Sequence, residues 1–127
     1  MPVVGIGTDI VEINRFRKFL AQEKTVLLNR LFTPEERSYA MKKQDPGPHF
    51  AARFAAKEAC LKAFGLGLRH GLSWQDISVV QDQYGKPDLN LAGRAAEIAE
   101  RRLVNTIHLS YSHDGDYAVA MVVLECR

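Results

Sequence analysis

The chain has 127 residues, 46% of them hydrophobic and 25% charged, with a net charge of +2. This suits one ordinary globular domain, 1–127, with enough apolar residues for a real core. The mild charge makes no case for nucleic acid, no apolar run reaches the ~20 residues of a membrane span, and the first residues lack the blocks of a signal peptide. Cys60 and Cys126 show neither metal spacing nor a disulfide framework, so a reducing cytoplasm is the expected setting.

Residues 3–13 are rich in β-branched side chains and predict a strand. Val4, Ile6, Thr8 and Ile10 fall on one face; Val3, Gly5, Gly7, Asp9 and Val11 fall on the other. The two glycines leave that face bare, so close approach to the backbone is expected there. Aspartate is disfavoured inside strands, so Asp9 sits near the strand end or serves a function. From Asn14 to Arg30 the pattern turns helical. Arg15, Arg17, Lys18, Lys24 and Arg30 outnumber the single acid Glu23, which fits a solvated face or a docking patch for an acidic partner. Thr33-Pro34-Glu35-Glu36 reads as a capping box with proline at the first helical position, and Asp45-Pro46-Gly47-Pro48 ends that helix.

Residues 50–65 form the stretch around which the chain is organised. It is alanine-rich, has no internal proline and ends on Gly65, a helix with a glycine stop. Phe50, Phe54, Leu61 and Phe64 make a broad apolar arc, and six alanines make a second, flat face, so the helix is expected to be covered on both sides. Lys57 falls inside the aromatic arc and repels Arg53 at i,i+4. Glu58 and Lys62 share the border of the two faces. They are either a simple i,i+4 ion pair, with Arg53 and Lys57 snorkelling to water, or a covered carboxylate that needs a metal or cation.

The loop from Gly65 to Gly71 is glycine-rich and includes Arg69 and His70. It can offer N–H groups to a phosphate, but it is no Walker motif. A strand is expected over 74–81, a turn at Gln83-Tyr84-Gly85-Lys86-Pro87, a strand over 88–91, and an amphipathic helix from Leu91 to near Val104. A hairpin closes the chain: strands 106–113 and 117–124 about an Asp114-Gly115 turn, the second apolar on both faces and hence central. His113 sits at the lip of the turn, where a lone histidine is usually a surface residue. The expected architecture is α+β, mainly antiparallel sheet packed against the central helix.

Taken together, Gly5-Ile6-Gly7-Thr8-Asp9-Ile10, Arg53-Phe54-Ala55-Ala56-Lys57-Glu58-Ala59 with Lys62-Ala63-Phe64-Gly65, and Ser110-Tyr111-Ser112-His113 with Tyr117-Ala118 resemble the holo-[acyl-carrier-protein] synthases, the short bacterial 4′-phosphopantetheinyl transferases. The resemblance covers essentially the whole chain. It implies transfer of phosphopantetheine from coenzyme A to a serine of acyl carrier protein, in support of fatty acid biosynthesis. It also implies Mg²⁺ held by Asp9 and Glu58, with Lys62 stabilising the leaving phosphate oxygen. Arg53, Lys62, Gly65, Gly67 and His113 resemble the family's coenzyme A contacts. Arg15, with Arg17, Lys18 and Lys24 matching in character, resembles its docking surface for the acidic carrier protein. The family's short chains are homotrimers with active sites between subunits. Lys57 is a motif residue without an assigned role. Against the transferase stand two other readings: a coenzyme A or nucleotide-binding module that has lost transfer, and a trimeric structural domain in which Glu58–Lys62 is only a salt bridge.

Overall fold

Strand β1 (Val3–Glu12) pairs antiparallel with β5 (Tyr117–Cys126), and β5 with β4 (Val104–Asp114), so the three-stranded sheet has the order β1-β5-β4. The doubly apolar strand is central, as its sequence requires. These elements come from a computed structural model that describes residues 2–68 and 71–126. Helix α4 (Gly47–Phe64) lies across the inner face of the sheet, against β1 and β5. Its alanines make the contact: a Cβ on Gly5 would lie 2.0 Å from Ala63 O, and one on Gly7 1.8 Å from Ala59 O. The bare glycine face thus receives the helix backbone itself.

On its far side α4 carries the aromatic arc into a second layer. Phe50 and Phe54 meet Phe16 of α1 (Ile13–Ala21), and Phe50 also meets Phe32 beyond α2 (Thr25–Leu31), with ring centroids 4.9–6.5 Å apart. Helix α3 (Pro34–Met41) starts on the expected capping box: Thr33 Oγ1 accepts from Glu36 N, and Thr33 N donates to Glu36 Oε1. A 3₁₀ turn (Trp74–Asp76) leads into a two-stranded sheet of β2 (Ile77–Gln81) and β3 (Pro87–Leu91), and α5 (Gly93–Arg101) follows.

Several boundaries differ from the sequence reading. Trp74–Asp76, expected in a strand, form the 3₁₀ turn, and Leu91 and Val104, expected at the ends of one helix, lie in β3 and β4. The single helix expected over Asn14–Arg30 is two. Lys24 N bonds Phe19 O and Glu23 N bonds Leu20 O, a Schellman ending whose left-handed residue is Glu23 (φ 54°) where glycine is usual. Without that glycine the stop is invisible in the sequence. Helix α4 begins at Gly47, within the proline-glycine-proline run expected to separate helices, because proline is tolerated in a first turn. The closing turn is Gly115-Asp116, since Asp114 still pairs with Tyr117 and Gly115 supplies the positive φ (57°) at the first turn position.

The outer face of the three-stranded sheet has no layer over it in the single chain. Ile6 and Ile10 of β1 are 65% and 63% exposed, and Met121 of β5 is 52% exposed beside Val119.

Candidate active site

Two strand residues advance ~6.6 Å and four helix residues ~6 Å. The steps Gly5–Ala63 and Gly7–Ala59 therefore carry Asp9 to the next turn of α4. Helical side chains lean toward the helix N-terminus, and Lys62 reaches back in this way. Its Nζ lies 2.9 Å from Asp9 Oδ1 and 3.1 Å from Thr8 O. The i,i+4 pair between Glu58 and Lys62 does not form; the lysine takes the strand aspartate instead. The hydrogen bond to Asp9 holds the Lys62 ammonium above its usual range.

Glu58 is half-buried beside this pair, and no hydrogen bond to another described residue holds it. Burial, then the charge of Asp9, keep its carboxyl above the usual range, while Lys62 and Arg15 act the other way. Asp9 and Glu58, 49 positions apart in the chain, are thus electrostatic neighbours. Among the described residues no three His, Cys, Asp or Glu side chains gather in one place. Two converging carboxylates without a third protein ligand fit Mg²⁺, which takes one or two carboxylates and completes its shell with substrate phosphates and water. They do not fit a softer metal that wants nitrogen or sulfur.

Lys57, one residue from Glu58, points the other way and is wholly buried. Its three donors go to Leu31 O (2.8 Å), Glu36 Oε1 (2.6 Å) and Trp74 O (3.1 Å). Desolvation lowers its pKa and Glu36 opposes the shift. Glu36 Oε2 accepts from Val79 N, so this pair ties α2, α3, the 3₁₀ turn and β2 to α4. Lys57 has no donor left for a substrate. Neither it nor Arg53 snorkels to water.

Arg53 is 2% exposed, and its Nε is buried with no hydrogen-bond partner among the described residues. Its guanidinium lies 4.2 Å from the Tyr39 ring centre, and Lys43 Nζ lies 4.6 Å from the same centre. His49 stands 6.0 Å from Tyr39 and 6.4 Å from His113, ring centre to ring centre. Burial, then Arg53, Lys43 and His113, push the His49 pKa down. This is a concentration of positive charge with a spare donor, suited to an anion. The sequence pointed to Arg53 and His113 but missed Lys43 and His49. The only available signal was that His49 sits at i−4 from Arg53.

The site residues do not form one cluster in a single chain. At about 100° per residue Arg53 lies about 180° around α4 from Lys62. Lys62 and Glu58 flank β1, while Arg53 and His49 flank β4, which carries His113. Gly65 caps α4 in the left-handed region (φ 73°), with Leu66 N bonded to Leu61 O, and starts the loop that holds Gly67. Arg69 and His70 lie outside the described residues.

Of the basic residues after β1, Arg15 lies over the Phe54 ring, 5.6 Å from its centre, and acts on Glu58. Lys18 and Lys24 are exposed. Arg17 is engaged within the chain: it bonds Asp45 Oδ2 at 2.7 Å and Asn14 Oδ1 at 2.9 Å.

The sequence profile of the 4′-phosphopantetheinyl transferase superfamily matches residues 5–122. A holo-[acyl-carrier-protein] synthase of Syntrophotalea carbinolica is 60% identical over 95% of this chain and 94% of its own. The crystal structure of the Neisseria meningitidis holo-[acyl-carrier-protein] synthase superposes with a TM-score of 0.88 at 34% identity, covering 98% of this chain and 99% of that one. The Helicobacter pylori enzyme in complex with coenzyme A gives 0.82 at 32% identity, over 94% and 99%. The chain belongs to the holo-[acyl-carrier-protein] synthase family of 4′-phosphopantetheinyl transferases.

Proposed function

We propose that this protein transfers the 4′-phosphopantetheine group of coenzyme A to a serine of apo acyl carrier protein and releases adenosine 3′,5′-bisphosphate. The observation that carries this is the meeting of Asp9, Glu58 and Lys62 where β1 crosses α4, in a chain 60% identical to a synthase of that name. The serine oxygen bonds to the phosphorus next to pantetheine as the bridge to the nucleotide phosphate breaks. Mg²⁺ on Asp9 and Glu58 would neutralise pyrophosphate charge and activate a water or the hydroxyl. Glu58 is placed to orient the serine hydroxyl or take its proton. Lys62 is placed to stabilise the leaving phosphate oxygen. A silent binding module has no need of these three groups together.

The opposite flanks of α4 support a homotrimer. With Lys62 and Arg53 of one chain about 180° apart around α4, coenzyme A lies instead between Asp9, Glu58 and Lys62 of one subunit and the Arg53, His49, Lys43 and His113 group of the next. The apolar outer sheet face gives such an assembly a surface to bury. No helix among the described residues is long and apolar enough to cross a membrane, and we place the reaction in the cytoplasm, in fatty acid synthesis. Arg15, Lys18 and Lys24 form the docking side for the acidic carrier; Arg17, already paired, is left out. Lys18→Glu should raise the carrier KM about tenfold at low salt and leave the coenzyme A KM alone. An unchanged carrier KM removes Lys18 from that surface.

Intact mass of apo acyl carrier protein after incubation with this protein, coenzyme A and Mg²⁺ tests the reaction. A gain of one phosphopantetheine that vanishes with EDTA is expected. Coenzyme A binding without any mass gain, across several carriers, would favour the binding module.

A further inference from the structure

Lys62 and a divalent cation want the same oxygen. Lys62 Nζ donates to Asp9 Oδ1 at 2.9 Å and to Thr8 O at 3.1 Å, so two of its three N–H donors are spent on β1. The two partners differ in freedom. The Asp9 side chain, held between strand and helix, is 16% exposed, whereas that of Lys62 is 53% exposed. The carboxylate is fixed, and the ammonium, on a flexible four-carbon stem, is the part that can leave. A Mg²⁺ ion bound to Asp9 would sit about 2.0–2.1 Å from its oxygen. An ammonium at hydrogen-bond distance from that oxygen occupies the same region, and the two positive charges repel.

We propose that Lys62 and the divalent cation hold Asp9 in turn. In the metal-free protein the ammonium neutralises the carboxylate and keeps it aimed at α4; the arriving cation evicts the ammonium, which is then free to meet a substrate phosphate. The inference rests on the assignment of Asp9 and Glu58 as the cation site and goes further by giving Lys62 a second role. Because coupling between ligands is reciprocal, a phosphate that draws Lys62 away also tightens the cation. Part of the cooperation between metal and substrate is thus built into this chain, beyond the bridging of one by the other. A half-exposed pair biases the competition only modestly, by roughly two- to fivefold.

The test is Mn²⁺ binding to the full-length protein without nucleotide, at pH 7 and low salt, read from the electron paramagnetic resonance signal of free Mn²⁺. Lys62→Met is expected to bind Mn²⁺ about two- to fivefold more tightly than wild type. Lys86→Met removes an exposed cation from the β2–β3 turn and should change nothing, while Asp9→Asn should weaken binding more than about tenfold. Unchanged or weaker binding by Lys62→Met overturns the proposal. So does an equal gain in Lys86→Met, which would reduce the effect to net charge. If Asp9→Asn binds as wild type does, the carboxylates are not the cation site and both readings fall together.

Discussion

At Glu58, burial and the charge of Asp9 push in the same direction and raise the carboxyl pKa. A carboxyl whose folded pKa exceeds its unfolded value of ~4.3 stabilises the fold below that value, and the benefit is lost as pH rises through the folded pKa. Glu58→Gln in EDTA should therefore melt no lower than wild type at pH 7.5, with the gap closing near pH 4, while transfer with Mg²⁺ falls at least about a hundredfold. Full activity in the folded variant would reduce Glu58 to a surface carboxylate. Lys57, its chain neighbour, makes the opposite case. Lys57→Met leaves the Glu36 carboxylate buried without its cation and should cost about 3–5 kcal/mol in urea unfolding. Adding Glu36→Gln should recover only part of that. The buried charge is gone and the amide oxygen can still accept from Thr33 N, but the amide nitrogen then faces Val79 N–H, and Leu31 O and Trp74 O stay without their donor. A single-variant cost below about 1 kcal/mol would mean the pair is not the tie it looks to be. The sequence could place Lys57 in the aromatic arc but could not give it a role. Its bonded residues lie 17, 21 and 26 positions away, and only the fold brings them together.

Between elements, the contact of β1 with α4 decides where the site falls. Ala59 O and Ala63 O stand where side chains on Gly7 and Gly5 would be, and both obstacles are backbone. Gly7→Ala must push strand and helix apart and should cost about 3 kcal/mol, the upper end of overpacking. It should also lower kcat, since Asp9 moves with the strand. Unaltered urea stability and kcat would show that β1 shifts freely and does not set the Asp9 position. This part of the fold was legible because both halves of the contact are composition signals, glycines at i,i+2 and alanines at i,i+4. The helix break at Glu23 was not, since a left-handed glutamate carries no signal. The exchange of Glu58 for Asp9 as the partner of Lys62 was hidden too. An i,i+4 rule sees only one helix, and the competing carboxylate is on a strand.

For the whole molecule, what counts is that the two charged groups of the site flank α4 on opposite sides. Arg53 keeps a buried Nε without a partner among the described residues, and such a guanidinium is costly unless an anion answers it. Asp9 cannot, because it is paired with Lys62 about half a helix turn around α4. Sequence reading gathered these residues into one list because motif membership carries no direction. The helical angle, together with the strand each flank faces, separates them into two half-sites. In the proposed trimer, half-sites on opposite flanks, next to an uncovered apolar sheet face, would make catalysis depend on assembly. Met121, central on that outer face and 52% exposed in the single chain, is the place to test this. Met121→Glu would bury a charge in the assembly but leave it in water in the lone chain, so the penalty falls on association. In light scattering, wild type should run as three 14.3-kDa chains, about 43 kDa, and the variant as one. The variant should keep its fold by circular dichroism and lose transfer, because on the proposed reading the two halves of one site come from neighbouring chains. A monomeric Met121→Glu that transfers at the wild-type rate would put the whole coenzyme A site within one chain. It would leave the Arg53 group to some other anion.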